Sequence, residues 1–258
     1  EHLYEHLMFQ GTANRDGEFI TAMTSIGATG VNGTTSNDRT NYYQVVPTAS
    51  LDAALWLESD RMGYLLGGIT QAVLDEQREV VRNEKRQREA SPGSEIFEKS
   101  LQAFYPPGHP YRHTTIGSDE DIGSATMADV RGWFREKYGP NNAVLVLAGD
   151  IDVETAKTKV RAYFDRIPAG RQYDRQEQWM PVFSGVKEQV VFSNVPLRSY
   201  VRMWPLPNND HDDTVLMSIV AQTLARGPGT PLYERLVEQE QLAFDVSSGT
   251  MVGEVNST

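Results

Sequence analysis

His2-Leu3-Tyr4-Glu5-His6-Leu7-Met8-Phe9 is apolar apart from two imidazoles and one carboxylate, and no Gly or Pro interrupts it before Gly11. That pattern predicts a buried helix. On a helix, positions 2, 5 and 6 fall within an arc of about 100°. Both imidazoles can then reach one ion, with the carboxylate beside them. A chance placement of three polar groups on a structural helix is the competing explanation. It is disfavoured because each buried polar group without a partner costs about 1–3 kcal/mol. Zinc takes imidazole nitrogens at about 2.0–2.1 Å and, in open sites, three protein ligands plus a water. His2 and His6 as ligands therefore call for one further donor, and Glu5 would face the water.

The further donor can be sought as an acidic residue forced to face a core. Residues 70–90 read as a helix with apolar residues at three- and four-residue spacing, ended by Ser91, Pro92 and Gly93. With Val73 at zero on the helical wheel, Gln77 lies near about 40°, Val80 near about −20°, Val81 near about 80° and Glu84 near about 20°. Glu84 thus sits at the centre of the expected apolar stripe. Glu76 lies at its edge, while Asp75, Arg78, Glu79, Arg82, Lys85, Arg86 and Glu89 fall on the other side. A lone buried carboxylate costs several kcal/mol unless a cation compensates it. That cation is either a metal or one of the neighbouring arginines, and the wheel leaves both open.

Composition narrows the partners. There is no Cys, so disulfides and thiolate metal sites are excluded. Lys plus Arg number 24 against 35 Asp plus Glu, a net charge of −11. This balance argues against a nucleic-acid partner held by broad electrostatics. The longest unbroken apolar stretch, 143–148, is far short of the roughly 18 residues of a membrane-spanning helix, so no membrane partner is expected.

Along the chain, 27–37 is rich in Gly, Thr, Asn and Ser and reads as a loop leading into a strand over 40–46. Helices are expected over 50–66, 70–90, 125–138 and 153–164, with a buried strand at 143–148. After a polar linker, 171–185, come strands at 188–192 and 200–204, helices at 213–225 and 231–238, and a strand at 243–251. The expected organisation is α/β (α+β): two related layered domains, 1–170 and 186–258, each a mixed sheet with helices packed on it. A cluster of His and Glu starting at residue 2 and a polar end at 254–258 suggest a piece of a longer chain. His109 and His113, in a Pro-rich stretch, read as loop residues, and His211 as part of a solvated helix start capped by Asp212 or Asp213. Gly27, Gly30 and Gly33 lack the Lys-Ser/Thr that a phosphate loop requires.

Several co-linear motifs carry a family resemblance. HLYEH at 2–6 is followed by LMFQGT at 7–12, NGTTSNDRTNYYQV at 32–45, REVVRNEKRQ at 78–87, HPYRHTTIG at 109–117 and NNAVLVLAGDI at 141–151. Together they resemble the pitrilysin/insulysin family of zinc peptidases, which carry the inverted zincin motif H-x-x-E-H. TPLYERLVEQEQLAFDVSSG, at 230–249, resembles that family's second domain. The resemblance implies a zinc-dependent endopeptidase with one Zn2+ per chain, His2, His6 and Glu84 as ligands, and Glu5 as the catalytic base. It also implies that peptide substrate binds as an added strand on a sheet edge at Asn32 and Gly33, where Gly33 stands in place of the commoner Ala. In some members a further Glu assists the site seven residues before the ligand Glu. Gln77 occupies that position here and could orient a ligand through its amide.

The family encloses its substrate between two homologous halves, and an Arg and a Tyr that hold substrate come from the half opposite the zinc. The resemblance therefore implies a homologous second half or subunit as partner. Since some halves have lost the motif, a non-catalytic or weakly active partner subunit is the alternative reading, and the intact H-x-x-E-H weighs against it. Bacterial members with a similar HLYEHLMFQG stretch are often exported, which the absence of Cys accommodates.

Overall fold

The computed structural model describes all 258 residues. It divides into two compact units, Glu1–Ser91 with Thr114–Asp174, and Pro92–His113 with Arg175–Thr258. The architecture is mixed α/β, with helices dominant.

The first unit begins with α1 (His2–Leu7) and α2 (Phe19–Ser25), followed by strands β1 (Thr29–Thr35) and β2 (Thr40–Val45). Then come α3 (Leu51–Tyr64) and α4 (Gln71–Glu89). β1 and β2 form a two-stranded antiparallel sheet, with Gly33 opposite Tyr42, Thr35 opposite Thr40, and an irregularity between Thr29 and Asn32. Most of 27–37, expected as a loop, is therefore strand. Its Thr residues tolerate an extended backbone, and side chains alternate as a strand requires, with Gly33 buried between exposed Asn32 and Thr34.

In α4 the Thr70 hydroxyl caps the first turn by accepting from the Val73 N–H. Ion pairs Asp75–Arg78, Glu79–Arg82 and Lys85–Glu89 lace its length. α1 packs on α4 and β1. Tyr4, Leu7 and Met8 join Leu65, Ile69, Leu74 and Val130 in one core, while Phe19, Met23, Ala28, Ala54 and Leu57 form a second. Arg61 is buried with Glu58, which it contacts through two nitrogens, and its guanidinium lies over the rings of Phe19 and Tyr42 at 4.0 and 4.4 Å.

The second unit contributes α5 (Ser94–Phe104), within a stretch where no helix is expected from the residue pattern. The first unit resumes with α6 (Asp119–Ser124), α7 (Met127–Lys137) and α8 (Val153–Phe164). A reciprocal cap between Thr126 and Asp129 starts α7, and Asp152 caps α8. In the second unit, α9 (Asp212–Leu224) is capped by His211, whose Nδ1 accepts from the Asp213 N–H, and not by Asp212 or Asp213. Pro231–Tyr233 and the wider turn Glu234–Gln239 follow it.

The strands expected at 143–148, 188–192, 200–204 and 243–251 do not form. In this region the chain makes only isolated bridges, Leu206 with Ser257 and Arg226 with Ser247. Val144, Val146, Val190, Phe192 and Phe244 are exposed. An extended segment becomes a strand only when a neighbour accepts and donates along its edge, and here such pairing is confined to the bridge at Ser247 and the bonds that Met251 exchanges with Thr258.

Candidate metal centre

The buried face of α4 is rotated from the expected one. Its buried residues are Leu74, Gln77, Val81 and Lys85, so Glu84 lies at the margin of the buried stripe and not at its centre. Lys85, expected on the outer face, is buried, with its ammonium 2.8 Å from Glu89. Val80 is exposed instead. The rotation leaves Glu84 at the boundary between core and solvent, facing α1.

There α1 supplies both imidazoles from one face. The Glu84 Oε2 atom lies 3.6 Å from His2 Nε2 and 3.4 Å from His6 Nε2. The two rings are 4.8 Å apart between centroids at 76°. One donor atom from each of the three residues lies within 4.8 Å of the others. In a tetrahedral set about 2.05 Å from zinc, neighbouring donors stand about 3.3–3.4 Å apart, so the two nitrogen–oxygen separations are close to tetrahedral edges. Two imidazoles and a carboxylate are also the donor set that zinc favours in sites with an open position. The residues fit the ion.

Electrostatics point the same way. Burial lowers the His2 pKa, against the raising influence of Glu84, and the neighbouring His6 lowers it further. The neutral ring that results at pH 7 is the metal-binding form. The His2 Nδ1 is buried without a hydrogen-bond partner, so the ring's polar interaction is made through Nε2, on the side of Glu84. The second Glu84 oxygen, Oε1, accepts from the Arg88 guanidinium one turn further along α4. One oxygen of the carboxylate thus pairs with an arginine, while the other faces the two imidazoles.

Glu5 is buried between α1 and β1. Its Oε2 accepts a hydrogen bond from the Thr35 hydroxyl. A Cβ added to Gly33 would lie 3.1 Å from Glu5 Oε1 and 3.1 Å from the Phe9 ring, so the missing side chain is what lets the carboxylate and the ring close on the strand. Asn32 points to the opposite face, where its Nδ2 donates to the Tyr43 hydroxyl at 3.3 Å. Gln77 is buried on α4, seven residues before Glu84.

Sequence reasoning missed Thr35, Phe9 and Arg88. The first would have emerged had 29–35 been read as a strand, because Gly33 and Thr35 then share a face. Arg88 is legible as an i,i+4 partner of Glu84.

Comparisons with known proteins bear on the family. The chain is 28% identical over 255 residues to the zinc protease PqqE of Helicobacter pylori, covering 97% of this chain and 56% of that protein. The chain thus spans about half the length of the curated relatives it matches. The crystal structure of a protease from Helicobacter pylori superposes with a TM-score of 0.77 at 26% identity, covering 99% of this chain and 62% of the other. A peptidase M16 inactive domain from Pseudomonas fluorescens gives 0.78 at 20% identity over 99% of this chain and 61% of its own, a likeness of fold. Residues 1–118 match the family described as Insulinase (Peptidase family M16). Residues 124–257, over half of the chain, match the Peptidase M16 inactive domain; the chain belongs to peptidase family M16, the pitrilysin family of zinc proteases.

Proposed function

We infer that the chain is the zinc-bearing part of an endopeptidase that hydrolyses peptides or unfolded segments bound as an added strand. The observation that carries this reading is the convergence of His2, His6 and Glu84 beside a buried Glu5. His2 and His6 would hold one zinc through Nε2 and Glu84 through Oε2. When bound, zinc supplies a Lewis acid that polarises the peptide carbonyl and brings the pKa of water towards about 7.

Glu5 takes the proton of the attacking water as its oxygen bonds to the carbonyl carbon, and then delivers that proton to the departing amine as the C–N bond breaks. The edge of β1 away from β2 is free to pair with an extended peptide, whose register the backbone of Asn32 and Gly33 would fix without demanding a particular sequence. Gln77, buried on α4 seven residues before Glu84, would orient a ligand through its amide. A homologous half or subunit is the proposed partner that closes a chamber over the substrate. The competing reading, a partner subunit with weak or no activity, draws on the inactive-domain match of 124–257, whereas the metal cluster and Glu5 lie within 1–118.

Zinc content and peptide hydrolysis, measured with and without a complementary half, decide between them. Stoichiometric zinc, lost in Glu84→Ala, is expected. Glu5→Gln is expected to keep the zinc and to lower hydrolysis about 100-fold or more. Chelation should abolish turnover and zinc restore it. Full turnover by Glu5→Gln, or hydrolysis indifferent to chelators, would refute the peptidase mechanism.

A further inference from the structure

Behind Glu5 stand two hydroxyl groups in series. The Thr35 hydroxyl reaches Glu5 Oε2 and lies 3.2 Å from the Thr40 hydroxyl, its partner across the β1–β2 ladder. Each hydroxyl carries a single proton, while an ionised carboxylate can only accept. The carboxylate end therefore fixes the direction of both contacts. Thr35 donates to Glu5, and Thr40 to Thr35. Aligned hydroxyls of this kind polarise one another, and the bond at the carboxylate gains most.

The two oxygens of Glu5 are consequently not equivalent. Oε2 is anchored to the sheet. Oε1 faces the position of the missing Gly33 side chain, on the strand where a peptide would add.

We propose that Thr35, backed by Thr40, is a positioning residue that pins Glu5 through Oε2 and leaves Oε1 as the oxygen that exchanges protons with water and substrate. The proposal rests on the peptidase reading for its consequence but not for the contact itself. Carboxylate placement matters because a catalytic group displaced by about 1 Å loses on the order of 100-fold in rate.

A thermal-unfolding cycle on the metal-free chain tests the contact without any activity. Thr35→Val preserves shape and β-branching but removes the donor, and is expected to lower Tm by about 3 °C in the native background and by less than half of that in Glu5→Ala. Equal losses in both backgrounds would overturn the proposal, because the hydroxyl would then serve the strand alone. In the zinc-loaded enzyme with its complementary half, Thr35→Val should lower kcat about tenfold or more at unchanged KM and zinc content, and Thr35→Ser should restore most of it. A raised KM with unchanged kcat, or no rescue by Thr35→Ser, would also overturn it. Positive coupling in the unfolding cycle with no turnover by the native protein would support the pinned carboxylate and refute the peptidase reading instead.

Discussion

Arg88 donates to one oxygen of Glu84 and thereby turns the other towards His2 and His6. The guanidinium is itself largely exposed, so its charge is screened and its main effect on a bound cation is through the orientation of Glu84. Arg88→Met is therefore expected to weaken zinc binding about tenfold, well short of the loss in Glu84→Ala. Competition against a chromophoric chelator measures both. Tighter zinc binding by Arg88→Met would show that repulsion outweighs orientation.

Gly33 faces Glu5 and Phe9 at a separation that leaves little room for a side chain. The contacting atoms belong to side chains, so Gly33→Ala should be accommodated by shifts of a few tenths of an ångström, with zinc retained and hydrolysis reduced severalfold. Gly33→Val introduces two more carbons and should cost about 1–3 kcal/mol in urea unfolding. Wild-type stability and activity in Gly33→Val would contradict the close approach.

In the second unit, His109 is buried among Tyr105, Tyr111 and Trp179. Its Nδ1 accepts from the Tyr111 N–H at 3.1 Å, so the proton resides on Nε2, which donates to the Trp179 carbonyl at 2.8 Å. Burial lowers its pKa, against the raising effect of that carbonyl. A His depressed in the folded state is neutral in both states above about pH 6.5. Below that, the unfolded chain takes up a proton that the folded one refuses. Stability is thus full above about pH 6.5 and falls as pH drops, by at most about 1.4 kcal/mol per pH unit. Urea midpoints at pH 7.5 and 5.5 should show this loss, and His109→Gln should diminish it. An unchanged pH slope in His109→Gln would assign the loss to other groups.

Tyr4 carries the opposite kind of feature. Its ring stacks with Phe134 and packs 4.6 Å from Tyr138, yet its hydroxyl is buried with no hydrogen-bond partner, and burial pushes the phenol far above its ordinary pKa. Tyr4→Phe should be neutral or stabilising by up to about 1 kcal/mol in urea unfolding. A loss of more than about 1 kcal/mol would show that the hydroxyl is bonded in solution.

The grouping of His2, His6 and Glu84 was legible because its information is local. Two His at i and i+4 share a helical face whatever the tertiary fold, and the carboxylate opposite them sits in a strongly patterned helix. The wheel erred by some 60° because apolar residues alone set its zero, whereas Lys85 is buried here and Val80 is not. Strands were less legible for a physical reason. Residues 143–148 have the composition of a buried strand, but pairing is a property of two segments and cannot be read from one. The converse error was made at 29–35, where Gly33 and the Thr residues suggested a loop although the strand's inward face, Gly33 and Thr35, serves Glu5.

The six residues of α1 have a thermodynamic consequence. A helix that short does not persist by itself in water, since nucleation alone is unfavourable by a factor of about 1,000. Its order comes from Tyr4 and Leu7 in the core and from the contacts of Glu5 with β1. Any ion that requires His2 and His6 on one face must therefore be linked to the folding of that turn. At a free concentration 100 times its dissociation constant, such an ion would stabilise the folded chain by about 2.7 kcal/mol. Metal availability would then set the lifetime of the folded protein as well as its reactivity.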